Sequence, residues 1–363
     1  MTLTAADYNH MQRALKLAEK GLLSTSPNPR VGCVLTNKSG EVIAEGYHRK
    51  AGENHAEINA LANASSPVSG ATAYVTLEPC NHQGKTGPCS RALIEAGIGR
   101  VVYGMEDPNP AVSGSGLATL RSAGIAVDGP LLETEARALN PGFIKRMLTG
   151  YPLVRCKMAM SLDGRTAMAS GESKWITGPA AREDVQKLRA RSCAVITGVG
   201  TVLSDDPQLN VRLPGVQRQP LRVVVDSRLR APASANVFAA PGVAVLASCR
   251  DPSRPSDFPC GVWSLPDPSG QRVDLSLLLK KLADEGSNEV LIEAGADLAG
   301  AFLAYALVDE LVIYMAAKLM GSCARPLFNL KINTMSSQLS LSIRDIRAVG
   351  GDWKIIACPD SDS

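Results

Sequence analysis

The sequence predicts two α/β domains in tandem. Its 363 residues exceed one ordinary domain of about 100 to 200 residues. Short apolar runs alternate with helical stretches along the whole length, which is the pattern of layered α/β folds. The alternation pauses at Thr149-Gly150-Tyr151-Pro152 and restarts with LVRCKMAM, so the domains are set at residues 1–149 and 150–363.

The first element is an amphipathic helix over Thr4 to Leu23, because Met11, Leu15, Ala18 and Leu22 recur at helical spacing and Thr4 with Asp7 resembles a capping pair. It stops at the SPNP turn. Val31 to Thr36 and Glu41 to Tyr47 read as strands joined by Asn37-Lys38-Ser39-Gly40, residues suited to a hairpin. A short helix over His55 to Ala64, a buried strand over Ala71 to Leu77 and a helix over Pro88 to Ala96 follow. The strand Arg100 to Gly104, the turn-rich DPNPAVSGSG and a helix from Glu133 to Met147 complete the first domain. In the second, strands are expected at Ala194 to Thr197, Arg222 to Asp226, Val243 to Ala247, Glu289 to Glu293 and Glu310 to Ala316. No internal repeat is visible, and low complexity is confined to patches such as DPSRPSDFP and the polar tail.

Bulk composition excludes several function classes. With 38 Lys and Arg against 35 Asp and Glu the net charge is only +3, too little for the phosphate-neutralising surface of a nucleic-acid binder. A small, locally charged ligand is the expected partner, with no nucleic acid and no membrane. The start MTLTAADYNHMQRALKLAEK lacks the basic head and apolar core of a secretory signal, and no apolar run approaches the roughly 20 residues that span a bilayer. Nine scattered cysteines are an odd count, best read as reduced thiols of a cytoplasmic protein.

The chemistry concentrates in His55-Ala56-Glu57 and in LEPCNHQGKTGPC, residues 77–89. His55 opens one predicted helix, Cys80 follows a strand and Cys89 opens the next helix, so one imidazole and two thiolates can converge. That donor set suits zinc with a fourth position left for water, and helix starts favour the thiolate form. Zinc would activate the water, and Glu57 would accept and redeliver its proton. His-x-Glu with a downstream Pro-Cys…Cys is the zinc nucleobase deaminase signature in general form, although eight residues here separate the cysteines instead of two. The plainer alternatives are a closed structural site, for which His82 is the local fourth ligand, and ordinary buried cysteines.

In the second domain no Gly-x-Gly-x-x-Gly follows a first strand, which argues against a standard Rossmann unit. Thr197 to Thr201 and Gly295 to Gly300 each follow a strand and precede helical sequence; glycines there let a backbone approach a phosphate, or simply shape the turn.

Several motifs go beyond these generic patterns. SPNPRVGCVLT, GYHRKAGENHAE, ATAYVTLEPCNHQGKTGPC and DPNPAVSGSG, then KMAMSLDGRTAMASGESKWITG, TVLSDDPQLNVR, VVVDSRLR and IEAGADLAGAFL, closely resemble the bifunctional riboflavin biosynthesis family RibD over nearly the whole chain. The resemblance implies a cytidine-deaminase-like three-layer α/β/α domain followed by a dihydrofolate-reductase-like α/β domain. It implies zinc-dependent hydrolytic deamination of 2,5-diamino-6-ribosylamino-4(3H)-pyrimidinone 5′-phosphate. NADPH-dependent reduction of the ribosyl side chain would then give 5-amino-6-ribitylamino-uracil 5′-phosphate.

Carried over residue by residue, His55, Cys80 and Cys89 match the zinc ligands and Glu57 the proton carrier, with Asn28, His48, His82 and Lys85 at the deaminase substrate. Ala159, Trp175, Thr201, Asp205, Ser227 and the turn Gly295, Ala296, Asp297, Leu298, Ala299, Gly300 and Ala301 would contact NADPH. Ser173, Arg189, Leu209, Arg212 and Glu293 match reductase substrate positions, the arginines suiting the 5′-phosphate. A homodimer through the reductase domain fits the family. Two competing readings are a zinc nucleoside or RNA-base deaminase with a non-catalytic C-terminal domain, and a zinc-stabilised interaction protein without chemistry. The near-neutral charge counts against RNA, and the second predicts that Glu57→Gln is silent.

Overall fold

Thr4 starts the first helix, α1 (Ala5–Glu19), through a capping box in which its hydroxyl accepts from the Asp7 N–H and the Asp7 carboxylate accepts from the Thr4 N–H. This computed structural model describes residues 3–81, 87–110, 112–216, 218–250 and 258–360. The chain divides into two compact units, 1–151 and 152–363.

The first unit continues with β1 (Gly32–Thr36), β2 (Val42–Tyr47), α2 (Ala56–Ala62), β3 (Thr72–Val75), α3 (Cys89–Glu95), β4 (Arg100–Tyr103), α4 (Ser115–Ser122), β5 (Ala126–Asp128), α5 (Glu133–Leu139) and α6 (Pro141–Thr149). Its sheet runs β2-β1-β3-β4-β5, antiparallel from β2 to β3 and parallel from β3 to β5. Strand alternation divides the core. Cys33, Leu35, Ala73, Val75 and Val101 pack with α2, α3 and Leu120 of α4, whereas Val34, Tyr74 and Val102 pack with Met11 and Leu15 of α1 and Ala136 of α5. Helices thus cover both sheet faces, which is why β1 is buried at every position.

The helix expected over Glu133 to Met147 is in fact two. The chain breaks at Asn140-Pro141, where Pro141 lacks the N–H a continuing helix needs. Asn140 instead turns inward, its Oδ1 accepting from the Arg30 N–H at 2.8 Å and its Nδ2 donating to the Arg30 carbonyl at 2.9 Å.

Asp7 also carries a buried charge. Its carboxylate, 2% exposed, accepts from Tyr74 Oη at 2.8 Å and Arg100 Nη1 at 2.7 Å. Burial alone would raise its pKa, but hydrogen bonds from Arg100, Thr4 and Tyr74 outweigh that and hold it well below the usual carboxylate range. A depressed folded-state pKa contributes stability above the unfolded value of about 3.9 and loses it as pH falls below that value. Asp7→Asn is therefore expected to cost about 2 kcal/mol at neutral pH, and less as the pH drops below about 4. Urea denaturation at the two pH values measures both.

The second unit comprises β6 (Leu153–Ser161), β7 (Arg165–Ala167), α7 (Pro179–Arg191), β8 (Ala194–Gly198), α8 (Val199–Asp205), β9 (Leu221–Val225), α9 (Asn236–Ala239), β10 (Ala244–Ser248) and β11 (Gly261–Ser264). It ends with α10 (Leu275–Asp284), β12 (Glu289–Ile292), α11 (Ala296–Ala304), β13 (Glu310–Ala316), β14 (Arg325–Pro326), β15 (Leu341–Val349) and β16 (Asp352–Pro359). Nine strands form one sheet, β11-β10-β9-β8-β12-β6-β13-β16-β15, parallel from β11 to β13 and antiparallel beyond. One core packs Val185 and Leu188 of α7 on Val195, Val224, Leu246 and Leu291 of the sheet. The terminal hairpin lies outside the strands the sequence predicts, although Gly350-Gly351 between β15 and β16 is a turn signal.

Candidate active sites

In the first unit, His55 is the N-cap of α2 and Cys89 the first residue of α3, while Cys80 lies in the loop after β3. Gly46 lets α2 lie close on β2, since a Cβ there would stand 2.3 Å from the Ala56 carbonyl oxygen. The three side chains meet. His55 Nδ1 is 3.5 Å from Cys80 Sγ and 3.4 Å from Cys89 Sγ, and all three ligand atoms lie within 4.8 Å of one another. Tetrahedral zinc, with Zn–S near 2.3 Å and Zn–N near 2.0 to 2.1 Å, sets such N···S separations at about 3.5 Å. The donors and their spacing fit the ion. All nine cysteines are free, in keeping with the reading of reduced thiols.

The surrounding groups set the ionisation of these three candidate ligands. The Cys89 N–H donates to Cys80 Sγ at 3.4 Å. The Cys89 thiol lowers the Cys80 pKa to about 4 against the effect of burial, with His55 assisting, and the same pairing pushes Cys89 up. Glu57 is 3% exposed; burial pushes it up to about 7, and the Cys80 sulfur adds to the rise.

His48 and Asn28 form a fixed pair beside the ligands. Asn28 Nδ2 lies 3.1 Å from His48 Nε2, and His48 Nδ1 lies 3.0 Å from the Asn54 carbonyl oxygen. An amide nitrogen only donates, so Nε2 accepts and Nδ1 carries the proton. Burial lowers the His48 pKa, in keeping with that neutral tautomer. Both ring nitrogens are thus spent on holding Asn28 and the residue before His55. His82 and Lys85 lie outside the described residues.

In the second unit a cavity of about 1390 Å³ opens beyond the C-terminal ends of β8, β9 and β12, where open α/β sheets place ligands. Its wall includes Ala159, Trp175, Thr201, Asp205, Ser227, Gly295, Asp297, Leu298 and Ala301 of the expected cofactor positions. Ala296, Ala299 and Gly300 are not part of the wall. Ala299 is fully buried, and Gly300 packs on the Asn329 backbone, where a Cβ would come within 2.5 Å of the carbonyl oxygen.

All five expected substrate positions line the cavity. Arg189 grips Glu293 in a two-pronged pair, Nε to Oε1 at 2.5 Å and Nη2 to Oε2 at 2.9 Å, and the pair is largely buried rather than a surface ion pair. Burial would raise the Glu293 pKa, but Arg189 outweighs it and holds the carboxyl below its ordinary value. Ser173 Oγ lies 3.5 Å from Asp205 Oδ1, and Arg212 Nη1 contacts the side-chain oxygens of Gln208 and Asn210 at 3.4 Å. Leu209 is 4% exposed.

Lys157 and Arg182 are charged wall residues that sequence reasoning missed. Lys157 reaches 3.9 Å from Glu293 Oε2, and its presence, with Arg155, as a charge in the otherwise apolar strand LVRCKMAM was the available signal. Arg182 stacks on the Trp175 ring at 4.5 Å, and nothing in its helical context marks it.

Comparison with known proteins matches these two constellations. Residues 4–105 match the cytidine and deoxycytidylate deaminase zinc-binding region, and residues 152–355 match the RibD C-terminal domain. The riboflavin biosynthesis protein RibD of Escherichia coli (strain K12) is 47% identical over 359 residues, covering 95% of this chain and 97% of its own. That of Bacillus amyloliquefaciens is 39% identical over 358 residues, covering 96% and 95%. Among solved structures, Acinetobacter baumannii RibD (form 1) superposes with a TM-score of 0.92 at 45% identity, covering 98% of this chain and 99% of that one. The Thermotoga maritima diaminohydroxyphosphoribosylaminopyrimidine deaminase/5-amino-6-(5-phosphoribosylamino)uracil reductase gives 0.88 at 33% identity, with the same coverage.

Proposed function

The chain belongs to the RibD family of riboflavin biosynthesis proteins, and on that premise we propose how its residues divide the two reactions. It is a bifunctional enzyme, a zinc-dependent deaminase joined to an NADPH-dependent reductase. Its substrate is the diaminopyrimidine ribosyl phosphate, and its final product the ribitylamino-uracil phosphate. The single observation that carries the assignment of roles is the His55, Cys80 and Cys89 cluster with buried Glu57 beside it.

In the proposed division, residues 1–149 deaminate and residues 150–363 reduce. His55, Cys80 and Cys89 would hold zinc, which would supply the Lewis acidity that makes water a nucleophile near neutral pH. Glu57 takes the proton from the attacking water and returns it to the departing nitrogen, so that ammonia leaves and oxygen replaces the amino group. Asn28, oriented by His48, meets the pyrimidine edge, while His82 and Lys85 serve the phosphorylated sugar.

NADPH supplies the hydride for the second step. Ala159, Trp175, Thr201, Asp205, Ser227 and the Gly295 to Ala301 turn bind it; Ala296, Ala299 and Gly300 contribute by shaping the start of α11. Ser173, Leu209, Arg212 and the Arg189 and Glu293 pair orient the substrate, with the arginines at its phosphate. The work of this cavity is alignment and exclusion of water.

Two further parts of the reading concern context. Among the described residues no helix is long and apolar enough to cross a membrane, and a cytoplasmic location fits the free thiols. A homodimer through the reductase unit is supported by the edge strand β15, where Ile343 is 61% and Ile346 51% exposed. Ile343→Lys is expected to shift the sedimenting species from dimer to monomer; an unchanged species would place the interface elsewhere.

The test of function is product analysis by mass. The zinc-loaded chain given the diaminopyrimidine phosphate alone should accumulate the deaminated ribosylamino compound, and NADPH should carry it on to the ribitylamino compound. Turnover of a nucleoside or RNA base in preference to this substrate would reverse the assignment.

A further inference from the structure

Glu78 precedes Cys80 by two residues and takes no part in the chemistry above. Its side chain is 3% exposed, yet every hydrogen bond found for its carboxylate comes from backbone. Oε1 accepts from the Gly116 N–H at 2.9 Å and the Leu117 N–H at 3.4 Å. Oε2 accepts from the Asp107 N–H at 3.1 Å and the Gly114 N–H at 2.9 Å. The Glu78 N–H in turn donates to the Met105 carbonyl at 2.9 Å. One buried carboxylate therefore binds the segment after β4 together with the first turn of α4, whose N–H groups have no partner within the helix.

The contact is close from the other side as well. A Cβ on Gly116 would stand 2.0 Å from the Pro79 carbonyl oxygen and 3.2 Å from Glu78 Oε1. The start of α4 thus lies directly on the peptide that leads into Cys80. Beyond Cys80, its carbonyl accepts from the Ser90 N–H at 3.1 Å and Ser90 Oγ donates to Asn81 Oδ1 at 2.8 Å, which ties the loop to the start of α3 beside Cys89. Cys80 is held from both ends.

We propose that Glu78 is a positioning residue of the deaminase centre: it fixes the loop bearing Cys80 at the separation from Cys89 and His55 that zinc requires. The inference rests on the zinc reading of that cluster. With both oxygens taken up by backbone N–H donors, Glu78 is placed neither to ligate the metal nor to reach the reacting atoms, and it acts on the metal only through the loop. This sets it apart from Glu57, the other buried acid near the cluster.

The test is zinc affinity of the full chain, measured by competition with a chromophoric chelator, with cobalt absorption as a second reading of the ligand geometry. In Glu78→Gln an amide nitrogen faces N–H donors and loses them, so the zinc Kd is expected to rise roughly 10- to 100-fold while reductase turnover on the deaminated substrate stays at the wild-type value. Gly116→Ala displaces the same contact with Glu78 intact and is expected to weaken zinc in the same direction; it carries the test if the first variant does not accumulate. Wild-type zinc Kd and cobalt spectrum in a folded variant whose thermal midpoint alone has fallen would overturn the proposal. Failure of the wild-type chain to bind zinc would instead overturn the zinc reading.

Discussion

Glu57→Gln is expected to lower deaminase kcat by roughly 100- to 10,000-fold, the range that loss of a positioned proton carrier spans. Zinc content should stay at the wild-type level, because the three donor atoms, all within 4.8 Å of one another, do not include this carboxylate. The substitution is nearly isosteric at a site that is 3% exposed, so the fold should persist. Metal analysis beside steady-state kinetics separates the two effects. Full activity in the variant would support a zinc-stabilised protein whose chemistry lies elsewhere.

The second large effect is expected at Arg189→Met. Removing the guanidinium leaves the buried Glu293 carboxylate with Lys157 at 3.9 Å and the charge of Arg212 as its remaining cationic support. Breaking a buried pair from one side costs about 3 to 5 kcal/mol; the cavity beside this pair screens it, so about 2 to 3 kcal/mol is expected in urea denaturation. Reductase kcat/KM should fall with it while deaminase turnover is unchanged. Adding Glu293→Gln should recover most of the stability and none of the reduction, because the buried charge is gone but the substrate contacts are not restored.

The deaminase centre was largely legible before any coordinates, for a local reason. His55 and Cys89 stand at helix starts that the sequence marks by periodicity and by proline, and Cys80 follows a strand, so the sequence already allowed the three candidate ligands to converge. The reductase cavity was less so. Its wall draws on strand ends far apart in sequence, and the pairing of Arg189 with Glu293 bridges 104 residues. Motif resemblance named both without showing that they touch. Glu78 was equally hidden, since four backbone N–H groups from a turn-rich stretch leave no pattern of side chains. Helix periodicity also concealed the break at Asn140, because Pro141 is as compatible with a new helix start as with a kink. The β15 and β16 hairpin escaped because its outer strand is exposed on most positions and lacks the alternation of a half-buried strand.

The central claim is that one chain carries two separate active sites for consecutive steps. The most direct measurement is NADPH oxidation by the Glu57→Gln chain, offered first the diaminopyrimidine phosphate and then its deaminated counterpart. Two separate sites predict no oxidation with the first and wild-type oxidation with the second. Rapid oxidation with the unprocessed substrate, or none with either, would contradict it.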